Sequence, residues 1–463
     1  MSLPSSMDYT KILPIAAGNP RAMRRTFLPV NGTSFTANGN NIIRIELSAN
    51  QFWDAKHSYL RFKCTMNNAA GNDVGLDKGG LHGFVRRLRV EQAGSILMDC
   101  NRYDRLLAAI LLPSQSNFSV QGDRSITEGQ RYANTGTQGN LNAALAAPTG
   151  AVLGSQHNTA TQIDNAGSFI FSAPLVGGLF SQEKLVPLQL LSSSPLTIEI
   201  ELSPPDDIGI TNAGAAFVDY TIDDVAYVAS LVDVAPEVDQ QIRMVQELSG
   251  GHIVLNSTDY THFTGNIPAN AVGQQSINVP ARRKSIKSLL FVGASNTFAG
   301  GGGNTKLDRY NQSFGGNFNL RDYQVKVGSI MHPAMPVKCD FDLGGDINTR
   351  GEALMELTKC FMPVDNVVGL GELNTLTYAT TNCNTGNMAI ASGQGRFCPL
   401  GVDMEAFQRT AIESGVNTAD RSTPITLLLN IGAAAAEAIQ VDAYVSYDAL
   451  YYIDSSGVIS VSH

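Results

Sequence analysis

Charge is scarce in this chain. Only 16% of its 463 residues are Asp, Glu, Lys or Arg, against about 25% in an ordinary soluble domain. A protein that hides much of its side surface against neighbours can carry so little. Tryptophan is scarcer still, with Trp53 alone. The six cysteines (Cys64, Cys100, Cys339, Cys360, Cys383, Cys398) are scattered and form no Cys-x-x-Cys. That excludes a disulfide scaffold or a zinc ribbon, and predicts reduced thiols. No apolar run reaches the length of about 18 residues that a membrane helix needs. The opening Met1–Ser6 has no apolar core of signal-peptide type.

Catalytic signatures are missing too. There is no His-Glu-x-x-His and no Gly-x-Ser-x-Gly. Gly300-Gly301-Gly302-Gly303-Asn304-Thr305-Lys306 imitates a phosphate loop, but Thr305 stands where glycine is needed and Leu307 where Ser or Thr would hold magnesium. The seven histidines are dispersed without ligand spacing. Asp340, Asp342, Asp346, Asn348 and Glu352 have some calcium-loop flavour, yet Gly344 falls where a ligand belongs. A capping box of Thr349 and Glu352 at a helix start explains part of that cluster more simply. The net charge of −9 argues against a body that grips nucleic acid. The first 25 residues differ: Lys11, Arg21, Arg24 and Arg25 face the single acid Asp8.

What is present is alternation. Ile43, Ile45 and Leu47 share one face with Arg44 and Glu46 opposite; Leu60, Phe62, Cys64 and Met66 repeat the pattern, and Leu196–Leu202 is its clearest instance. Period two of this kind marks antiparallel strands with one face on a core, and short strands between Gly, Pro, Asn and Ser turns mark a sandwich or barrel. Helices are predicted only at Arg102–Leu112 and Glu352–Phe361, with a shorter one at Met404–Ile412. No strand pattern precedes Thr26. Residues 114–167, 293–320 and 366–395 are long polar, glycine-rich connections, which on a β scaffold are surface protrusions.

The chain also repeats itself with a period of about 240 residues. Strands at Ile42–Leu47, Tyr59–Met66, Val85–Gln92 and Ile96–Asp99 precede one helix. Strands at Gln275–Val279, Ser285–Val292, Tyr323–Gly328 and Pro336–Phe341 precede the other. Pro195–Leu202 answers to Pro424–Ile431, and each half closes on a Val- and Tyr-rich strand, Val225–Leu231 and Ala443–Leu450.

Several passages resemble the double jelly-roll major capsid proteins of the lineage spanning tectiviruses, adenoviruses, virophages, polinton-like viruses and large nucleocytoplasmic DNA viruses. They are Phe180–Leu191 followed by Pro195–Leu202, Val225–Val234 as last strand and linker, and Gly393–Leu400 running into Gly401–Glu405. The second copy departs from the first at Cys398 and Gly401, which break what is a leucine run before. The resemblance implies an all-β fold of two tandem jelly-roll β-barrels with long surface loops and two short helices. It implies an N-terminal arm at 1–25, a first jelly roll at 26–235 and a second at 236–463. The implied role is a viral major capsid protein, with no enzyme activity, cofactor or metal. Its homotrimers would be pseudo-hexagonal capsomers of an icosahedral shell, with neighbouring capsomers and minor capsid or penton proteins as partners. The implied location is the virion, assembled in the host cytoplasm or nucleus. Lys11, Arg21, Arg24 and Arg25 become candidates for inner-face contact with a membrane or the genome. The alternatives are a spike or minor coat protein, and a carbohydrate-binding tandem β-sandwich. The last needs a cleft with clustered aromatics and paired carboxylates.

Overall fold

The structure, a computed structural model, describes residues 21–67, 74–76, 79–114, 162–163, 168–182, 184–191, 194–211, 219–234, 236–248, 250–295, 315–341, 350–361, 397–406, 414–420, 423–435 and 438–463, with the isolated positions 127, 312, 373, 378 and 379. Strands dominate it. The first half contains β1 (Arg21–Phe27), β2 (Ser34–Thr36), β3 (Ile42–Leu47), β4 (Phe52–Asn67), β5 (Val74–Leu76), β6 (Val85–Gln92), β7 (Ser95–Asn101), β8 (Gln162–Ile163), β9 (Ser168–Ala173), β10 (Val186–Pro187), β11 (Leu196–Leu202), β12 (Gly209–Thr211) and β13 (Asp219–Asp233). The second half contains β14 (His252–Ile267), β15 (Gly273–Val279), β16 (Ile286–Ser295), β17 (Leu320–Val327), β18 (Ile330–Lys338), β19 (Leu400–Asp403), β20 (Ile425–Ile431), β21 (Ile439–Asp454) and β22 (Ile459–Ser462).

The strands assemble into the same pair of sheets twice. In the first half one sheet runs β1-β13-β4-β10, with β2 also on β13 and β9 on β4, and the other runs β3-β11-β6-β7. In the second half the orders are β14-β21-β16-β19, with β22 on β21, and β15-β20-β17-β18. β5, β8 and β12 form a small sheet of their own. All these pairings are antiparallel, and none among the described residues joins a strand of one half to a strand of the other.

Alternation in the sequence sets which face goes inward. β11 (Leu-Thr-Ile-Glu-Ile-Glu-Leu) and β20 (Ile-Thr-Leu-Leu-Leu-Asn-Ile) both bury every second side chain. In each half the two sheets face one another across those side chains. Phe62 of β4 and Tyr220 of β13 lie 5.5 and 5.1 Å from Phe84 at the start of β6. Phe291 of β16 meets Tyr323 of β17 at 5.2 Å, edge to face. Each half is therefore a closed two-sheet barrel, and the repeat seen in the sequence is a repeat of strand order.

Corresponding hairpins even share a tip. β6 and β7 turn at Ala93-Gly94 ahead of Ser95-Ile96, and β17 and β18 turn at Gly328-Ser329 ahead of Ile330. Gly94 and Gly328 both take positive φ, 79° and 59°, a region where the missing Cβ removes the steric cost.

The structure departs from the sequence reading in several places. β1 begins at Arg21, before Thr26. Six of its seven side chains are exposed, so both faces are wet and no alternation betrays it. Arg102–Leu112 is not a plain α-helix. A short α1 (Tyr103–Arg105) runs into a π-helical turn, Leu106–Leu111, with Leu112 N–H bonded to Leu107 O at 2.8 Å. A turn α2 (Pro205–Ile208) and a linker helix α3 (Pro236–Leu248) were not anticipated, although Pro at the first position followed by Glu237 and Asp239 is a proper helix start. α4 (Gly351–Lys359) has Arg350 as its N-cap without a side-chain cap, and Thr349 of the expected capping box lies outside the described residues. The glycine run at Gly300–Gly303, the positions Asp342, Asp346 and Asn348, and most of Met404–Ile412 also lie outside them. So does most of the three long connections.

Candidate functional site

The most elaborate chemistry among the described residues lies where the two barrels meet. α1 opens with Arg102 in the left-handed region at φ 50°, which costs energy in a residue with a Cβ. The Tyr444 hydroxyl of β21 donates to Arg102 O at 2.9 Å and holds that bend from the other barrel. Arg102 Nε lies 3.2 Å from Asp104 Oδ1, and Asp104 is fully buried. Burial raises the Asp104 carboxyl even though the Arg102 guanidinium pulls it down. Asp104 in turn holds Arg102 firmly protonated.

Arg105 then reaches across. Its Nε is 2.6 Å from Asp442 Oδ2 of β21. His262 Nε2 of β14 lies 3.0 Å from Asp442 Oδ1. Burial alone would raise the Asp442 carboxyl, but Arg105, His262 and Arg102 outweigh it and hold it well below the usual carboxylate range. Gln312 Nε2 donates to Gly83 O at 2.8 Å and to Asp104 Oδ2 at 3.2 Å, tying a second-barrel connection to the first barrel.

A second strip of contacts runs along β7. Gln92 Nε2 donates to Gly457 O at 2.9 Å, and Ile459 N–H donates back to Gln92 Oε1 at 2.7 Å. The Ser257 hydroxyl donates to Gly178 O at 2.5 Å. Gly177 and Gly178 lie between Met98 of β7 and the tyrosines of the second barrel. A Cβ on Gly178 would come within 2.8 Å of both Met98 Sδ and the Tyr451 hydroxyl. Beside them Asp259 of β14 is buried and accepts from the Tyr447 hydroxyl at 3.0 Å. Burial pushes its carboxyl up to about 6, against the pull of its hydrogen bonds.

This arrangement can do one thing well, which is to lock two barrels at a fixed angle. A buried network of ion pairs and hydrogen bonds favours a single arrangement, because a shifted one strands its charges. Burial pushes the Cys64, Cys100, Cys339 and Cys360 thiols upward, and raised thiols are unreactive. No group of three or more metal-binding side chains occurs among the described residues, and no described helix is long and apolar enough to cross a membrane. A cleft of about 260 Å³ on the outer face of the β15-β20-β17-β18 sheet is lined by Gln274, Asp322, Gln324, Pro336, Leu428 and Asn430. It has a single carboxylate and no aromatic platform, and so lacks what a sugar site needs.

The residues singled out from sequence lie elsewhere. Lys11 is outside the described residues. Arg21, Arg24 and Arg25 sit together on the exposed edge strand β1, with Arg24 over the Tyr59 ring at 5.6 Å and Arg25 over Phe27 at 4.9 Å. The structure brings none of them to the junction. The junction residues went unnoticed, although one signal existed: β21 is buried along nearly its whole length on both faces, and Asp442 and Asp448 interrupt it.

No family model matches this chain, and no curated protein does. Solved structures match it along its whole length. PBCV-1 VP54, fitted into a cryo-EM reconstruction of the virophage Sputnik, superposes with a TM-score of 0.57 at 11% identity, over 98% of this chain and 99% of that one. The Faustovirus major capsid protein gives 0.55 at 10% identity, over 94% and 90%. The mavirus major capsid protein gives 0.53 at 10%, over 100% and 92%. With the strand orders above, this likeness defines the fold as the double jelly roll found in viral major capsid proteins.

Proposed function

We propose that this protein is the major capsid protein of an icosahedral virus and that it works as a homotrimer. The observation that carries the reading is the pair of barrels with identical strand order, locked by the Arg105–Asp442 junction. Two like barrels per chain and three chains per ring give six similar lobes, a block that tiles hexagonally. The whole-length likeness to the Faustovirus and mavirus major capsid proteins supports it.

In this reading residues 26–235 and 236–463 are the two building lobes and 1–25 an arm, whose last five residues join the first lobe as the start of β1. Lys11, Arg21, Arg24 and Arg25 give the arm and its first strand a basic surface toward an inner membrane or the genome. The connections at 114–167, 293–320 and 366–395 top the capsomer. Neighbouring capsomers and minor capsid or penton proteins are the partners, the virion is the location, and assembly takes place in the host cytoplasm or nucleus. The role is mechanical, not enzymatic. Native mass spectrometry of the purified protein is expected to give three times the chain mass of 49.4 kDa. Mass spectrometry of purified particles is expected to find this chain as the dominant species. A stable monomer at micromolar concentration, or a trace abundance in particles, overturns the reading.

A further inference from the structure

Four of the barrels' sheet edges correspond in pairs. Within one chain, β7 is one edge of the first barrel's β3-β11-β6-β7 sheet, and β14 is one edge of the second barrel's β14-β21-β16-β19 sheet. These two edges pack on one another, with β22 also against β7, and no ladder hydrogen bonds join them. The contact is made by side chains. Leu97 and Met98 of β7 are only 3% and 2% exposed there.

By strand order the two remaining edges are the counterparts of these. β18 occupies in the second barrel the place of β7 in the first, down to the shared Gly-Ser-Ile at the hairpin tip. β1 occupies on β13 the place of β14 on β21. Yet both keep apolar side chains exposed. Ile330, Met331 and Met335 of β18 are 62%, 37% and 79% exposed. Met23, Leu28 and Val30, on and just after β1, are exposed as well. These two short stretches hold six of the fourteen large apolar side chains exposed among the described residues. Apolar side chains gathered on a sheet edge mark a contact surface.

We infer that β18 of one chain packs on β1 of the next, repeating between chains the β7–β14 contact made within each chain. The contact is heterologous, and in a ring of three chains it alternates with the contact made within each chain. Pro333 and Pro336 in β18 have no N–H to donate. The neighbour is therefore met by side chains, as at β7, and the edge does not invite uncontrolled strand addition. This inference rests on the trimeric capsomer reading and assigns its subunit interface.

The test uses the full-length chain. Met331→Asp combined with Met335→Asp is expected to run as a folded monomer in light scattering, with far-ultraviolet circular dichroism unchanged. As a second measurement independent of that variant's folding, Met335→Cys is combined with Met23→Cys in a chain that also carries Cys360→Ser and Cys383→Ser, and is treated with a short bismaleimide; Cys64, Cys100, Cys339 and Cys398 are buried and stay out of reach. A ladder ending in a covalent trimer is expected, and each single cysteine variant gives none. If the wild-type chain is a trimer while the Asp variant remains one and the cysteine pair does not cross-link, the interface assignment is wrong and the capsomer reading stands. If the wild-type chain is itself monomeric, both fall.

Discussion

Arg105 Nε lies 2.6 Å from Asp442 Oδ2, and the two side chains, 4% and 2% exposed, pair across the boundary between the barrels. Removing one partner leaves the other charge buried without compensation, which typically costs about 3–5 kcal/mol. Asp442→Ala is therefore expected to lower the denaturant midpoint strongly. Replacing both partners with apolar side chains of similar size, Arg105→Met with Asp442→Leu, is expected to recover much of that loss. Equal losses for the single and the double variant would show that the pair is not what couples the barrels.

Trp53 is the chain's single tryptophan and sits in the first barrel, fully buried, with its indole N–H donating to Ser58 Oγ at 3.0 Å. It packs edge-on to Phe180 and Tyr227 at 5.9 and 6.1 Å. Its fluorescence reports the first barrel alone, whereas circular dichroism reports both. In the wild-type chain the two signals are expected to change together on denaturation. In Asp442→Ala they are expected to separate, because unlocked barrels unfold as independent units. Separation already in the wild type would mean the junction adds little coupling.

Two junction carboxylates respond to pH in opposite directions. Burial raises Asp259 to about 6 in the folded chain, above an unfolded value near 3.9. Its contribution is fully present below the unfolded value and is lost as pH rises through about 6. Asp442 is depressed, so its contribution is present above the unfolded value and is lost as pH falls below it. Stability from these two groups is expected to peak near pH 4, the unfolded value of both, and to fall from there to about pH 6. Asp259→Asn is expected to flatten the decline between about pH 4 and 6, a change on the order of 2–3 kcal/mol. Thermal melts across that range check it, and an unchanged slope would assign the decline to other groups.

Gly178 and Gly94 both have positive φ, but only one has neighbours. At Gly94 nothing lies within 4 Å of an added Cβ, whereas at Gly178 the Cβ would meet Met98 and Tyr451 at 2.8 Å. Gly94→Ala is expected to cost about 1 kcal/mol from backbone conformation alone. Gly178→Ala adds overpacking between the barrels, a further 1–3 kcal/mol or so. Calorimetry of the two variants gives the comparison, and equal melting shifts would show that the barrels yield at this point.

Much of the architecture was legible in one dimension because a half-buried strand writes its burial into alternate residues. Ile42–Leu47, Val85–Gln92 and Leu196–Leu202 emerge as strands where alternation places them, and the order of strands in each half displays the repeat. The edges were not legible, for the same physical reason. β1 is wet on both faces, and β14 mixes Asn, Ser, Thr, Asp and His because one of its sides meets the other barrel through polar groups. Neither pattern has a period to read. The sequence determined two barrels of one topology, since burial of apolar faces is a local matter repeated along each strand. That Arg105 would find Asp442, and that Gly178 would admit Tyr451 beside Met98, was decided only in three dimensions. Those contacts join residues far apart in the chain, and their stability comes from leaving no buried charge unpaired at a boundary that neither barrel specifies by itself.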